Sequence, residues 1–256
     1  MDAHLVEIFE SVQGEGPHVG VPTVFVRFAE CDLRCSWCDT PESWRRVPTC
    51  RVYGELGRGG FLTVENPVGL ERLLAWLDAR GVPDGRWVSL TGGEPLLQSD
   101  AVAAWSEALH GRRLRVHLET HGLESAALGH VLEHVDYVSM DWKLASDVRR
   151  VSDRGVQVAD FHDAHAAFLA AVGDRADACV KIVVTPGTTR GELETACRRV
   201  AEVRPRTPVV LQPVTPTGGV REAPSLDTLM DHLAACASIV GDVRLIPQTH
   251  KAYGAL

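Results

Sequence analysis

No apolar run in this chain approaches the length of a membrane span, so nothing in it reads as a transmembrane helix. The N-terminus, Met1-Asp2-Ala3-His4, lacks the basic-then-apolar pattern of a signal peptide. Basic residues are in deficit, 26 against 34 acidic, and a net charge of −8 argues against a surface built to coat nucleic acid. These absences predict a cytoplasmic protein with neither a membrane nor a nucleic-acid partner. In such a reducing compartment seven cysteines are ligands or buried thiols before they are disulfides. Cys50, Cys179, Cys197 and Cys236 show no ligand spacing, and the last three read as core fillers. What is present is 256 residues with 45% hydrophobic content, enough for one full α/β domain.

The remaining cysteines stand together in Cys31-Asp32-Leu33-Arg34-Cys35-Ser36-Trp37-Cys38-Asp39-Thr40, directly after the apolar run from Thr23 to Ala29. The spacing C-x3-C-x2-C on a tight loop can place three thiolates on one face of a 4Fe–4S cube. Full thiolate sets have four cysteines, so the fourth iron is left open to an exogenous chelating ligand. Two other readings compete at this point. A zinc site would need a fourth ligand such as Cys50, and a disulfide would leave one spare thiol. With Trp37 before its last cysteine, the loop resembles that of the radical S-adenosylmethionine superfamily.

Taken in order, the chain supplies context. Gln13-Gly14-Glu15-Gly16-Pro17 is a loop whose backbone turns sharply or approaches a ligand. In the strand after it, Val24, Val26 and Phe28 share one face while Arg27 points the other way. That arginine is either a salt-bridged structural residue or a carboxylate clamp. Residues 41–63 show no helical or strand period and read as a loop insertion. Asn66-Pro67 reads as the cap and first position of a helix carrying Leu70, Leu73, Leu74 and Leu77. Trp87 to Leu97 is a strand running into Gly92-Gly93-Glu94-Pro95, ahead of a helix capped by Ser99. Glu94 suits an ammonium group, and the motif resembles the methionine-binding motif of the same superfamily.

Further strands come at Arg115–Gly122, Tyr137–Lys143, Cys179–Thr185 and Val209–Thr215, with helical patterns between them. Polar residues gather at their ends, and a succession of βα units of this kind predicts a complete or partial barrel with its site at the strands' C-terminal ends. Residues 144–178 read as a surface elaboration without chemistry. Its His162 and His165 lack the further ligands a metal would need. The tail from Val243 to Lys251 reads as a final strand with a polar cluster.

Four segments together resemble the 7-carboxy-7-deazaguanine synthases, radical enzymes of queuosine and 7-deazapurine biosynthesis. They are Glu7-Ile8-Phe9 with Gln13 to Gly16, Phe25 to Thr40, Thr91 to Gln98, and Leu211 to Val214 with Pro247 to Lys251. The resemblance implies an α/β fold, a partial or modified (β/α)6 TIM-type barrel, forming a single radical domain over residues 1–256. It implies a lyase that contracts the ring of 6-carboxy-5,6,7,8-tetrahydropterin to 7-carboxy-7-deazaguanine with loss of ammonia. S-adenosylmethionine would serve catalytically, a 5′-deoxyadenosyl radical taking hydrogen from C6 of the pterin, with Mg2+ assisting.

By position, Cys31, Cys35 and Cys38 would hold the 4Fe–4S cluster and Thr40 the magnesium, a hard cation that favours oxygen donors. Trp37, Cys38, Asp39, Gly92, Gly93, Glu94, Ser139, Lys143 and Gln212 would contact S-adenosylmethionine. Val12, Gln13, Gly14, Glu15, Arg27, Thr91 and Leu256 would contact substrate, with Arg27 on the pterin carboxylate. A homodimer and a flavodoxin or ferredoxin as reductant are also implied. The chain departs from the family's Ser-Pro-Lys, which appears here as Ser139-Met140-Asp141-Trp142-Lys143. A glycyl-radical-enzyme activase, whose partner is a protein, shares the two radical motifs but offers no role for Gln13 to Gly16 or Pro247 to His250. A non-catalytic metal scaffold is a third expectation, marked by zinc without iron.

Overall fold

Alternating and continuous apolar runs separated by amphipathic segments give this chain its strands and helices. The computed structural model describes residues 1–54, 60–153 and 160–255, with no account of the Tyr253 side chain. The first third contains β1 (Asp2–Ala3), β2 (Leu5–Val12), β3 (Pro22–Phe28), β4 (Leu33–Cys35), β5 (Thr49–Tyr53), β6 (Phe61–Glu65), β7 (Val68–Gly69) and α1 (Leu70–Ala79). The middle third holds β8 (Trp87–Gly92), α2 (Ser99–Gly111), β9 (Arg115–Thr120), α3 (Ser125–Val131), β10 (Tyr137–Asp141), β11 (Val148–Arg150) and α4 (His162–Val172). The last third holds β12 (Asp177–Val184), α5 (Arg190–Val203), β13 (Val209–Pro213), α6 (Leu226–Ala237), β14 (Val243–Leu245) and α7 (Thr249–Tyr253).

One sheet runs β14-β13-β12-β10-β9-β8-β3-β2-β5-β6. From β3 to β14 every neighbouring pair is parallel. Helices α1 to α6 fall one by one between these parallel strands, which makes six βα units of a partial TIM-type barrel, as the sequence predicts. Parallel strands covered by helices read as near-continuous apolar runs, and Val180, Ile182 and Val184 of β12 are fully buried. Leu73 and Leu77 of α1 are buried in the same core, with Leu70 and Leu74 packed against it. Each such side chain stabilises the fold by about 1.5–3 kcal/mol on burial. Among the described residues no helix is long and apolar enough to cross a membrane.

Three expectations are corrected here. Residues 41–63 are not a structureless insertion. They form β5 and one end of β6, an antiparallel pair that extends the sheet beyond β2. Their Arg and Gly content hides the alternation because the pair lies at the sheet edge, where apolar faces are not required. Asn66 is not a helix cap. Its amide donates to Leu5 O at 2.7 Å and Val47 O at 2.9 Å, its Oδ1 accepts from Leu5 N at 3.0 Å, and α1 begins only at Leu70. Ser99 is likewise the first residue of α2, with Gln98 at the cap after a short turn of 3-10 helix.

The segment after residue 144 is more than a surface elaboration. Its β11 pairs antiparallel with β4, so Val148, Arg149 and Arg150 lie opposite Cys35, Arg34 and Leu33. Val148 and Phe161 join Leu33 and Leu123 in a small second core, against which Cys31, Cys35 and Trp37 pack.

Candidate active site

The C-terminal ends of β3 and β8 lie side by side, and the loops that leave them are crowded into little space. At Gly92, where φ is +137°, a Cβ would stand 2.3 Å from Phe28 O. At Gly93 it would stand 2.1 Å from Glu30 O. The glycine pair is therefore demanded by close backbone approach, and the approach seats Gly93 N–H on Phe28 O at 3.0 Å and Glu94 N–H on Glu30 O at 2.7 Å. This fixes the start of the cysteine loop against the end of β8.

Cys31, Cys35 and Cys38 line one cavity of about 200 Å3 with Trp37, Asp39, Thr40, Gly92 and Gly93. The same cavity is lined by Val12, Gln13, Gly14, Glu15, Arg27, Thr91, Lys143 and Gln212. Two motifs predicted separately, the cysteine loop and the glycine-rich loop after β2, thus face one space. Cys50 is elsewhere, fully buried in the main core within β5, so it is no fourth ligand to this site.

The cavity wall carries a chain of alternating charges. Lys143 Nζ donates to Asp141 Oδ2 at 2.6 Å, and Lys181 Nζ lies 2.9 Å from Asp141 Oδ1 and pairs on its other side with Glu15. Burial pushes the Asp141 carboxyl up, but Lys143 and Lys181 more than offset it and hold it at about 2. Burial likewise raises Glu15, and Lys181 with the Gln248 amide brings it below the ordinary carboxyl range. Lys143 Nζ also lies 4.5 Å from the centre of the Trp37 ring, a cation–π contact.

Arg27 is salt-bridged through one of its nitrogens. Its Nε donates to Glu7 Oε1 at 2.9 Å, while Arg51 Nη2 donates to Glu7 Oε2 at 3.0 Å. One buried carboxylate therefore holds two guanidinium groups, and Arg51 Nη2 reaches a second carboxylate, Glu42 Oε1, at 3.3 Å. The Arg27 Nη groups have no hydrogen-bond partner among the described residues. Gln13 bridges inward, donating from Nε2 to Glu119 Oε1 at 3.0 Å and accepting the Glu15 N–H at Oε1 at 3.0 Å.

The tail closes this loop from outside. Thr249 N–H donates to Gly14 O at 2.9 Å, and Gln248 Nε2 donates to Glu15 Oε1 at 2.7 Å. A Cβ on Gly14 would fall 1.9 Å from His250 Nδ1. An activase has no use for these two segments, yet the structure joins them at the cavity.

A family model described as Radical SAM superfamily matches residues 26–200. A 7-carboxy-7-deazaguanine synthase of Geobacter sulfurreducens is 39% identical, the match covering 99% of this chain and 98% of that protein. One of Methanothermobacter thermautotrophicus is 34% identical over 99% of this chain and 98% of its own length. The chain belongs to the 7-carboxy-7-deazaguanine synthase family of the radical SAM superfamily. The crystal structure of QueE from Escherichia coli shares the fold, with a TM-score of 0.60 at 22% identity over 98% of this chain and 95% of that one.

Membership in the radical SAM superfamily brings a 4Fe–4S cluster and S-adenosylmethionine, and the donor set fits both. Burial pushes the thiol of Cys31 up to about 12 and that of Cys35 to about 11, so neither is an anion at neutral pH without a cation beside it. Iron supplies that charge, as metals do for coordinating thiols. Gln212 is 3% exposed, lines the cavity, and its Oε1 has no hydrogen-bond partner among the described residues. A buried orphan acceptor calls for a donor, which the hydroxyls and amines of a nucleoside ligand provide.

Two residues expected to contact S-adenosylmethionine do not reach the cavity. Ser139 Oγ meets His117 Nε2 at 2.8 Å and Cys179 Sγ at 3.6 Å, beneath the Gly16 turn. Glu94 has 0% exposure, and both its oxygens are engaged. Oε1 accepts from Leu96 N at 3.0 Å and Thr120 Oγ1 at 2.8 Å, and Oε2 from His121 N at 2.8 Å. Its carboxylate thus ties the glycine pair to the end of β9 instead of meeting an ammonium group. Lys143 does reach the cavity, so the altered Ser-Pro-Lys segment keeps its lysine and brings Asp141 with it. Leu256 lies outside the described residues.

His162 and His165 have protein partners. His162 Nδ1 accepts from Trp142 Nε1 at 3.0 Å, and His165 Nε2 accepts from Lys143 N at 2.9 Å. Asp32, His121 and Glu124 approach metal-ligand spacing, but Arg150 Nη1 already lies 3.0 Å from Asp32 and 3.9 Å from Glu124. Lys181 and Glu119 belong to the wall although no motif points to them. Lys181 carries the same signal as Arg27, a charge in the middle of an apolar strand.

Proposed function

We propose that this chain contracts the ring of 6-carboxy-5,6,7,8-tetrahydropterin to 7-carboxy-7-deazaguanine with release of ammonia, for queuosine or another 7-deazapurine. The observation that carries this is one cavity lined both by the three cluster thiols and by Arg27, Thr91, Gln13 and Glu15. When bound, the cluster and S-adenosylmethionine supply the radical chemistry, which is the cofactor's own. The chain's part is to bind, orient and shield.

Arg27, held at Nε by Glu7, offers its Nη groups as a fork to the pterin carboxylate. Glu15, kept ionised by Lys181 and Gln248, accepts hydrogen bonds from the N–H groups of the guanidine-like ring edge. Gln13 and Glu119 extend that polar wall. Thr40 offers a hydroxyl to Mg2+ on the cysteine side of the same space. Trp37, Asp39, Gly93, Lys143 and Gln212, which line the same cavity as the thiols, would receive S-adenosylmethionine. The chain is read as one domain over residues 1–256, cytoplasmic, reduced by a flavodoxin or ferredoxin and working as a homodimer. Exposed Phe61 and Leu62, 52% and 74% accessible on the edge strand β6, support a second copy covering that edge.

The test is an anaerobic reaction of reconstituted protein with S-adenosylmethionine, reductant, Mg2+ and 6-carboxytetrahydropterin, monitored by the deazapurine chromophore. Product without net loss of S-adenosylmethionine is expected. Cleavage of S-adenosylmethionine with no deazapurine would discard the pterin and turn the search to a protein substrate.

A further inference from the structure

Ser36 stands between Cys35 and Cys38 in the cluster loop, and every polar group it owns is engaged. Its N–H donates to Asp147 O at 2.9 Å, and its Oγ donates to Asp147 Oδ1 at 3.1 Å. Its carbonyl accepts the Gly219 N–H at 2.7 Å, in a turn where a Cβ on Gly218 would come within 2.8 Å of that oxygen. The second carboxylate oxygen of Asp147, Oδ2, accepts from Thr185 Oγ1 at 2.9 Å. Thr185 is 2% exposed and directly follows β12. One carboxylate therefore joins the middle of the cluster loop to the end of a core strand.

The attachment continues along β11. Val148 sits opposite Cys35, and Val151 N–H donates to Asp32 O at 2.8 Å. The loop is thus held from Asp32 to Ser36 by the segment after β10. None of Ser36, Asp147 and Thr185 lines the cavity, so the contacts act on the loop and not on a small molecule inside it.

We propose that Asp147 is a positioning residue for the iron–sulfur cluster, clamping Ser36 so that the Cys35 and Cys38 thiols are fixed relative to the barrel end. A three-thiolate site depends on its loop for geometry, because no fourth protein bond holds the cluster. Residues that orient metal ligands from behind change metal affinity by roughly 10- to 100-fold when removed. This inference rests on the cluster and not on the pterin, so a failed ring contraction leaves it standing.

The experiment compares wild type with Asp147→Ala, Asp147→Asn and Thr185→Val after anaerobic reconstitution. It reads iron and sulfide per chain, the EPR spectrum of the reduced cluster with and without S-adenosylmethionine, and cluster lifetime under an iron chelator. Amide exchange over residues 35–38 is read in the metal-free protein. Asp147→Ala is expected to lose its cluster roughly 10-fold faster, to change the EPR spectrum, and to speed exchange in the loop while leaving β8 and β9 protected. Asp147→Asn, which retains one acceptor and gains a donor for a hydroxyl, is expected to restore most of each readout. Thr185→Val, which keeps Ser36 paired but frees the clamp from β12, is expected to fall between.

Wild-type lifetime, spectrum and loop exchange in a folded Asp147→Ala protein would overturn the proposal. So would an Asp147→Asn protein no better than the alanine variant, or exchange that rises throughout the chain. Should Asp147→Ala fail to fold, Asp147→Asn and Thr185→Val decide: the proposal stands if Thr185→Val shortens cluster lifetime relative to Asp147→Asn, and falls if it does not.

Discussion

Glu15 and Lys181, 166 residues apart in the chain, close an ion pair within the cavity wall. One comes from the loop after β2 and the other from the middle of β12, so the pair joins the two halves of the barrel. Lys181 also satisfies Asp141. Replacing Lys181 with Met would leave the buried Glu15 without its cation and Asp141 with Lys143 alone. Loss of one partner of a buried pair destabilises by about 3–5 kcal/mol. Lys181→Met should therefore lower the melting temperature by roughly 6–20 °C, at about 2–4 °C per kcal/mol for a chain of this size. Scanning calorimetry of the metal-free protein checks this, and an unchanged midpoint would show the pair to be solvated.

Arg27 makes a separable prediction, because Glu7 holds only its Nε. Arg27→Ala should leave iron content and S-adenosylmethionine binding intact while weakening pterin turnover. Hydrogen bonds to a charged group are worth about 1.5–3 kcal/mol, which corresponds to roughly 10- to 150-fold in kcat/KM. Steady-state kinetics beside iron analysis reads both parts. Unchanged kinetic parameters would remove Arg27 from the site.

His165 predicts a pH dependence of stability. It is buried with Nε2 accepting the Lys143 N–H and Nδ1 facing Gly122 O, an arrangement that requires the neutral ring. Burial holds its pKa down at about 3 against an ordinary 6.5. The folded pKa is depressed, so the unfolded chain takes up the proton first. The contribution is full above pH 6.5 and is lost as pH falls toward 3. Each pH unit in that window costs about 1.4 kcal/mol. Between pH 7.5 and 5 the metal-free wild type should lose about 2 kcal/mol more than His165→Asn, read by urea unfolding. Parallel pH profiles would contradict the assignment.

Gly14 and His250 predict a pair effect. A Cβ on Gly14 overlaps the imidazole and stands 2.7 Å from His250 Cβ, so Gly14→Ala must displace the tail from the loop that carries Glu15. Turnover should fall, and His250→Ala in the same chain should recover part of the loss by removing the ring but not its Cβ. Kinetics of the two single variants and the double variant form the cycle. Strict additivity would show that the contact does not govern the site.

Much of the fold and site is legible in the sequence because it rests on local rules. Cysteine spacing, a glycine pair after a strand and an arginine in an apolar strand each carry a signal within a few residues. What stays hidden depends on pairing at long range. Residues 41–63 show no strand period because an edge pair tolerates exposed polar residues on both faces. Asp147 falls in the segment that reads as a surface elaboration, since nothing near it in sequence reveals Ser36 or Thr185 as its partners. Glu94 and Ser139 are misplaced for the same reason: their motifs give an address, while His121, Thr120 and His117, distant in sequence, claim their side chains.

Gln212 separates binding from stability. Its Oε1 is buried in the cavity wall without a partner among the described residues, a state that costs about 1–3 kcal/mol. Evolution toward stability alone would favour an apolar residue of that size on β13, where Leu211 is already buried in the core. Gln212→Leu should thus leave the ligand-free melting temperature unchanged or raise it. Binding should move the other way, because the ligand's donor then meets no acceptor. S-adenosylmethionine affinity of the reconstituted protein should drop about tenfold, the equivalent of about 1.4 kcal/mol. Calorimetric titration beside a thermal melt reads both. A variant that is less stable but binds normally would mean that Gln212 serves the fold and that S-adenosylmethionine is held elsewhere on the wall.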